Sequence, residues 1–324
     1  MSLLKLRLSM VGTLAMVIGV STLFLAVILN YLGRLTIFSL LSLVIAFNLA
    51  QWLIAPYIID SMYQVKEVSK SEAPRLHRIV EELSRKMGLK KPRIMIARLP
   101  IPNAFAYGSP IAGSRIAVTE GLLSELEEEE VEAVVGHELG HLKHRDVQLM
   151  MMASLLPALF YFIGYSLFWS SMLGRREERS GGLTALLGIA SLAIYWVLSL
   201  LVLHLSRLRE YYADRASATT VPDGARKLSE ALAKIALSAR RAIRRSGGVG
   251  GLNAFKTLFI EDPDRAERDS YEIYSMRSIS SSDQQLVREL LSRPVTLVDR
   301  IMELFSTHPN MTKRLRALAS IGSR

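Results

Sequence analysis

Cysteine is absent from the 324 residues. That excludes disulfides, thiol nucleophiles and thiolate-bound zinc, so any metal must be held by histidine and carboxylate. The absence is compatible with a reducing compartment but does not require one. Histidine is scarce, six in all, which keeps the search for ligands short. The chain carries a formal charge of +10, yet it has no lysine and arginine block interleaved with aromatics, so no nucleic-acid partner is expected. The glycine-rich stretch Ser246 to Gly251 lacks the lysine and the spacing of a phosphate-binding loop and reads as a flexible break. What the chain has in abundance is apolar residues, which make up 50% of it. Apolar runs together with basic flanks fit a membrane protein with a cationic cytoplasmic side.

Four such runs stand out. Met10 to Tyr31 and Leu35 to Ile59 each come near the ~20 residues a spanning helix needs. A signal peptide is the rival reading of the first, given Lys5 and Arg7 before it, but its apolar part is too long and no clear cleavage site follows. Leu149 to Leu173, with Pro157 a candidate kink, and Leu183 to Leu205 form a second pair, and a buried soluble hairpin is the alternative for these. Four spans place the amino terminus, the segment Asp60 to Asp146 and the carboxy-terminal part on one side. Lys5, Arg7 and most flanking basic residues lie on that side, whereas the hairpins expose Arg34 and the mixed-charge turn around 175–179, so the common side is expected to be cytoplasmic.

Asp60 to Asp146 reads as water-soluble. Pro74 opens a helix and Gly88 closes it, with Leu76, Ile79, Val80, Leu83 and Met87 as its apolar stripe and His77 as a solvated residue off that stripe. Strands are expected at Arg93 to Ala97, at Asn103 to Gly108 and at Arg115 to Thr119. Leu122 to Glu132 turns helical, with Ser124 as N-cap and the acids Glu127 to Glu130 in the first turns, where they favour the helix dipole. Beyond the fourth run, Arg207 to Thr219 continues as helix. Gly224 to Arg245 is a basic amphipathic helix facing lipid headgroups, protein or, in the plainest reading, water. Residues 261–283 are charged and serine-rich. A short helix over Val295 to Phe305 precedes a final one that ends near Ile321.

The chemistry centres on Val135-Gly136-His137-Glu138-Leu139-Gly140-His141. Histidines four apart share one face of a helix and can hold one zinc, and a glutamate directly after the first can polarise the water on it. Two unrelated helix histidines are the plain alternative. A catalytic zinc usually has three protein ligands, so a third is needed. His144 would put three ligands in a row on one straight helix, which cannot converge well on a tetrahedral ion. His204 sits at a membrane boundary. Arg209-Glu210-Tyr211-Tyr212-Ala213-Asp214 offers two carboxylates at i and i+4 on one helical face. One of them can bind metal while the other accepts the free ring N–H of a ligand histidine, or both can simply sit on a surface helix.

With these residues in view the chain resembles the HtpX-type membrane zinc metalloproteases, relatives of the CAAX prenyl endopeptidase. The resemblance runs in order through Asn103-Ala104-Phe105-Ala106, Val118 to Leu123, His137 to Asp146, Ser206 to Asp214 and Ser306-Thr307-His308-Pro309, with an apolar hairpin between the histidine motif and Glu210. It covers most of the chain except about residues 240–290. His144 departs from it, since relatives often have asparagine there, and leaves open a local metal contact or a pH effect.

The resemblance implies one zinc per chain, with His137, His141 and Glu210 as ligands and Glu138 as general base. It makes Asp214 and Asp146 partners of the ligands or structural residues, and His308 and Arg314 oxyanion donors or a gate, with a cap before the final helix as the equal alternative for His308. Asn103, Ala104, Phe105, Ala106 and Tyr107 become an edge strand that binds an extended peptide. The fold expected is mainly α with a small β-sheet, that is α+β, with a four-helix transmembrane region and a gluzincin-like zinc protease domain. Its parts are an amino-terminal transmembrane hairpin over 1–59, a first protease segment over 60–146, a second hairpin over 147–205 and a second protease segment over 206–324. The activity implied is a multi-pass zinc endopeptidase of the cell membrane with a cytoplasmic site. It would act on misfolded or unassembled membrane proteins in protein quality control and the stress response. A non-proteolytic chaperone or scaffold with structural zinc is the alternative from another class, and a prenyl-protein protease is the variant enzyme.

Overall fold

A computed structural model describes residues 37–173, 181–245 and 282–322. The first expected span, the residues Lys5, Arg7 and Arg34, the charged turn around 175–179, the loop from Ser246 to Gly251 and most of the stretch 261–283 lie outside the described residues. The chain divides into two compact units. Gln148–His204 and the chain up to Trp52 belong to one, and Leu53–Val147 and the chain from Leu205 belong to the other.

Helix α1 runs over Ile37–Met62 and covers the second expected apolar run. The first unit holds the main length of α5 (Asp146–Leu173) and the first part of α6 (Gly181–Thr220). Among the described residues, two helices are long and apolar enough to cross a membrane, Asp146–Met172 and Gly182–Thr220. Few of their apolar side chains are buried, unlike those of a soluble core helix. Glycine lets the two approach closely: a Cβ on Gly188 would stand 2.8 Å from the Phe168 nitrogen, and one on Gly164 2.9 Å from the Gly188 oxygen. Small residues serve membrane helices in this way, because packing must replace the hydrophobic drive that lipid does not supply.

The second unit is built on a four-stranded mixed sheet, in the order β1-β2-β4-β3. β1 is Val65–Glu67, β2 Arg93–Ala97, β3 Ala104–Ser109 and β4 Gly113–Thr119. β2 and β4 are parallel, while β3 turns back on β4 through a hairpin whose Gly113 takes φ +71°, a left-handed value that suits glycine. Strand alternation feeds two apolar clusters. Ile94, Ala104, Ile116 and Val118 join the larger one, with the helices. Met95, Ala97, Phe105, Tyr107 and Ala117 join the other, which Ile59 and Tyr63 close. β3 is left as an outer strand.

Around the sheet stand α2 (Pro74–Met87), α3 (Glu120–Glu125) and α4 (Glu128–Lys143). They are followed by α7 (Gly224–Arg245), α8 (Asp283–Ser292), α9 (Leu297–Leu304) and α10 (Met311–Gly322). The architecture is therefore mostly helical with a small mixed sheet, as expected at the level of α+β.

Several local expectations need correcting. Ser124 caps no helix, because Thr119 caps α3 with its side chain and Glu127 opens α4 through a capping box with Glu130. The Ser124 hydroxyl donates instead to the Gly121 carbonyl, 2.9 Å away. Helix α7 is no solvated surface helix: Leu228, Ala231, Leu232 and Ala236 are fully buried in the larger cluster. Its cations pair with the acids that start α4, Arg226 with Glu129, Lys227 with Glu132 and Lys234 with Glu130. His77 is half-buried, bonded to the Val68 carbonyl oxygen at 2.9 Å. Neither the three-residue β1 nor helix α8 was among the expected elements. β1 is too short to show a period, whereas α8 does carry one, in Leu286, Val287, Leu290 and Leu291, which turn to the larger cluster.

Candidate metal centre

Helix α4 carries the two histidines and packs along β3. Its fit against the far end of α6 depends on the glycines beside them. A Cβ on Gly140 would lie 3.0 Å from both Ala213 Cα and Ala216 Cβ, and one on Gly136 2.9 Å from a Val221 methyl. The Ser217 hydroxyl fastens the crossing by donating to the Ala133 carbonyl at 2.6 Å. That approach brings the Glu210 carboxylate, carried on α6, to the imidazoles of α4.

His137, His141 and Glu210 place their ligand atoms within 4.8 Å of one another. His137 Nε2 and His141 Nε2 are 3.1 Å apart. Glu210 Oε1 is 3.5 Å from His141 Nε2, and Oε2 is 3.7 Å from His137 Nε2. A tetrahedral ion with bonds of about 2.0–2.1 Å would set its ligand atoms roughly 3.3–3.4 Å apart. The distances, taken to one or other oxygen of the carboxylate, lie near that spacing, so two imidazoles and one carboxylate suit a single divalent ion.

Each histidine is held from behind. His137 Nδ1 lies 2.9 Å from Asp214 Oδ1, and His141 Nδ1 2.7 Å from Asp146 Oδ2. An ionised carboxylate only accepts, so each Nδ1 carries the proton and each Nε2 turns its lone pair to the shared point. Each aspartate in turn meets an arginine. Arg314 donates to Asp214 through Nε at 2.9 Å and Nη2 at 2.6 Å, and Arg209 pairs with Asp146. Arg145, between α4 and α5, takes φ 56°, and Asp146 directly after it meets His141.

Burial by itself would push the Glu210 carboxyl up. His308 and Arg314, with His141 adding less, outweigh that and hold it well below the usual carboxylate range. Both His308 Nδ1 and Arg314 Nη1 stand 3.3 Å from Glu210 Oε2. Glu210 follows the apolar stretch Leu183 to Leu205 by five residues, outside it. Asp214 is also lowered: burial opposes the shift, and Arg314 and His137 overcome it. A carboxylate kept ionised at depth suits a cation.

The remaining candidates fall as follows. Glu138 is buried on α4 between the two histidines. Arg314 is fully buried with its guanidinium on Asp214 and Glu210, so it clamps two carboxylates. His144 stays out of the cluster; its Nδ1 lies 2.9 Å from the Gly140 carbonyl oxygen at the end of α4, beside the Tyr212 ring. Asn103 stands just before β3, its N–H donating to Thr119 Oγ1 at 2.9 Å. Phe105 and Tyr107 turn into the smaller cluster, and Ala104 and Ala106 lie on the side of α4, so the strand offers its backbone edge more than its side chains. Arg209, expected at most to offset the neighbouring acids of its own helix, pairs instead with Asp146 behind His141.

Residues 70–321 match the family model described as Peptidase family M48. The chain is 36% identical over 335 residues to the Protease HtpX homolog of Thermoplasma acidophilum, covering 99% of both chains. It is 39% identical over 320 residues to the Protease HtpX homolog of Aeropyrum pernix, covering 98% of this chain and 96% of that one. The crystal structure of S. mikatae Ste24p superposes with a TM-score of 0.55 at 17% identity, covering 97% of this chain and 67% of that one. At that identity the likeness is one of fold.

Proposed function

The chain belongs to peptidase family M48, which makes it a metalloprotease, and on that premise we propose that it is a membrane-held zinc endopeptidase. Its substrates in this reading are misfolded or unassembled membrane proteins, and its site faces the cytoplasm. One observation carries the reading, the convergence of His137 Nε2, His141 Nε2 and the Glu210 carboxylate, with one ligand atom from each within 4.8 Å of the others. A donor set of two nitrogens and one carboxylate suits zinc, and with no cysteine in the chain a thiolate site is excluded. Bound there, zinc supplies Lewis-acid polarisation of a carbonyl and lowers the pKa of water toward ~7.

The chain's own residues do the rest. Glu138 takes the proton of the attacking water on a carboxylate oxygen and hands it to the leaving amine nitrogen, so that the amide breaks into a carboxylate and an amine. Asp214 and Asp146 fix the tautomers of His137 and His141 and raise their basicity. The free backbone edge of β3 pairs with an extended polypeptide, which recognises main chain rather than a particular side chain. His308 stands beside Glu210 as a donor to the developing oxyanion. The four apolar runs form two hairpins, with α5 and α6 as one of them; the poor burial of those two helices supports lipid around them.

Purified protein is expected to carry about one zinc per chain and to cut an unfolded polypeptide until a chelator is added. Glu138→Gln should keep the metal and lose the cleavage. Undiminished turnover in that variant would sink the mechanism. Prenylated and plain peptides run side by side separate a general endopeptidase from a prenyl-protein protease, and a tag in the turn around 175–179, probed from each side of sealed vesicles, tests the topology.

A further inference from the structure

Helix α9 is inside out. Its acids are buried, Asp299 at 7% exposure and Glu303 at 8%, while Leu297 stands 74% exposed and Ile301 59%. Val298, Leu304 and Phe305 are exposed with them, so five large apolar side chains line one side of the helix. The buried acids are satisfied. Asp299 closes a capping box with Thr296, and Glu303 accepts from the Asn310 N–H at 3.2 Å and pairs with Lys313. The inverted pattern is thus held in place by the polar side, and water is the wrong medium for the other side.

The same helix is tied to α6. The Arg207 guanidinium donates to the carbonyls of Leu304 and Ser306, at 3.4 and 2.8 Å, and so pins the end of α9 to α6. Arg207 comes two residues after Leu205, where the apolar stretch of α6 ends. Two helical residues rise about 3 Å. The end of α9 is therefore fastened at the edge of a stretch long and apolar enough to cross a bilayer. Arg300, exposed on the same helix, offers an anionic headgroup a partner.

We infer that α9 is an interfacial helix, with Leu297, Val298, Ile301, Leu304 and Phe305 set into the boundary between headgroups and acyl chains of an anionic bilayer. The inference rests on the membrane reading above. It adds that the segment leading to His308 is itself held by lipid, because Phe305 and His308 are three residues apart.

The absence of cysteine makes the test direct, since any introduced thiol is unique. Ile301→Cys and Leu304→Cys would each be spin-labelled in the full chain and reconstituted in phosphatidylcholine–phosphatidylglycerol vesicles. Leu186→Cys, on the exposed face of the apolar stretch, serves as lipid control and Arg75→Cys, exposed on α2, as water control. Circular dichroism and retained hydrolysis of a soluble unfolded polypeptide certify each fold. The α9 labels should relax several-fold more with dissolved oxygen than with a water-soluble nickel chelate, as Leu186→Cys does. An α9 signal that matches Arg75→Cys while Leu186→Cys reads lipid would overturn the inference and leave the membrane protease standing. Labels shielded from both reagents would mean that protein covers the face, which overturns it too. A Leu186→Cys label in water would remove the membrane reading and this inference together.

Discussion

Two arms of the same composition hold the candidate metal centre, histidine to aspartate to arginine in each, and they differ in how much water reaches them. In the arm His137–Asp214–Arg314 the side chains are 1%, 2% and 1% exposed. In the arm His141–Asp146–Arg209 they are 17%, 9% and 15% exposed. The dry arm closes over long sequence distance, with a hundred residues between Asp214 and Arg314. The wetter arm is local in its first link, Asp146 lying five positions after His141, and takes its arginine from α6. In a low dielectric each charge depends wholly on its partner, whereas near solvent water can stand in. The chemistry is shared, and the consequences of damage should not be.

The largest contrast is expected at the arginines. Arg314→Met leaves Asp214 buried without its cation and takes one of two such neighbours from Glu210, which should cost about 3–5 kcal/mol. Arg209→Met should cost roughly 1–2 kcal/mol, the value of a charge-assisted hydrogen bond that water partly replaces. Thermal denaturation of the metal-free chain in detergent checks both, and equal losses would break the distinction between dry and wet arms.

Next come the aspartates. Partners of metal-ligating histidine typically contribute 10–100-fold in metal affinity. Asp214→Asn should fall near the upper end of that range and Asp146→Asn near the lower. Competition against a chelator of known affinity measures each. A larger loss at Asp146 would reverse the ranking by burial.

How much of this could be read in advance follows the same division. The pairing of His137 with His141, and of Glu210 with Asp214, was legible because helical spacing of four puts side chains on one face. Helix α2 and strand β2 were legible from Pro74, Gly88 and the apolar pattern. The clamp of Arg314 on two carboxylates was not, because nothing local says which cation will be folded onto Asp214 from so far along the chain. Helix α7 was misjudged for a related reason: Arg226, Lys227 and Lys234 look solvated in sequence, but their acids wait on α4. Helix α9 shows the same limit, since its apolar residues were legible but not the side they would face.

Gly140→Ala sharpens the comparison at the level of packing. A new Cβ 3.0 Å from Ala213 Cα and Ala216 Cβ forces α4 and α6 apart, at about 1–3 kcal/mol. Asp214 and Glu210 come from α6, whereas Asp146, the acid behind His141, follows α4 directly and keeps its place beside it even if Arg209 on α6 draws away. Nitrogen NMR of labelled histidine should therefore show the His137 Nδ1 bond weakened and the His141 Nδ1 bond kept. Loss of both together would mean that the arms are not mechanically separate.

The smallest effect is expected in pH dependence, and its sign follows from linkage. Burial would raise the Asp214 carboxyl, but Arg314 and His137 outweigh it, so its folded value lies below the ordinary one. The stability it contributes is fully present above the unfolded value of about 4 and is lost as pH falls through the folded value. Glu130 works the other way. Burial raises it despite Lys234, so the folded chain holds its proton more readily and the cost of that buried charge is relieved as pH falls toward the raised value. The two trends overlap in mild acid, so the raw acid profile of the native chain cannot be assigned to either. The difference between the native chain and Arg314→Met belongs to the buried pair Asp214 and Glu210, because that change removes the cation lowering both and leaves Glu130 and Lys234 alone. The acid unfolding midpoint of the variant should move to higher pH, whereas Arg209→Met should move it little. An unmoved midpoint in Arg314→Met would mean that water reaches Asp214 after all, and that the two arms differ in connectivity but not in dielectric.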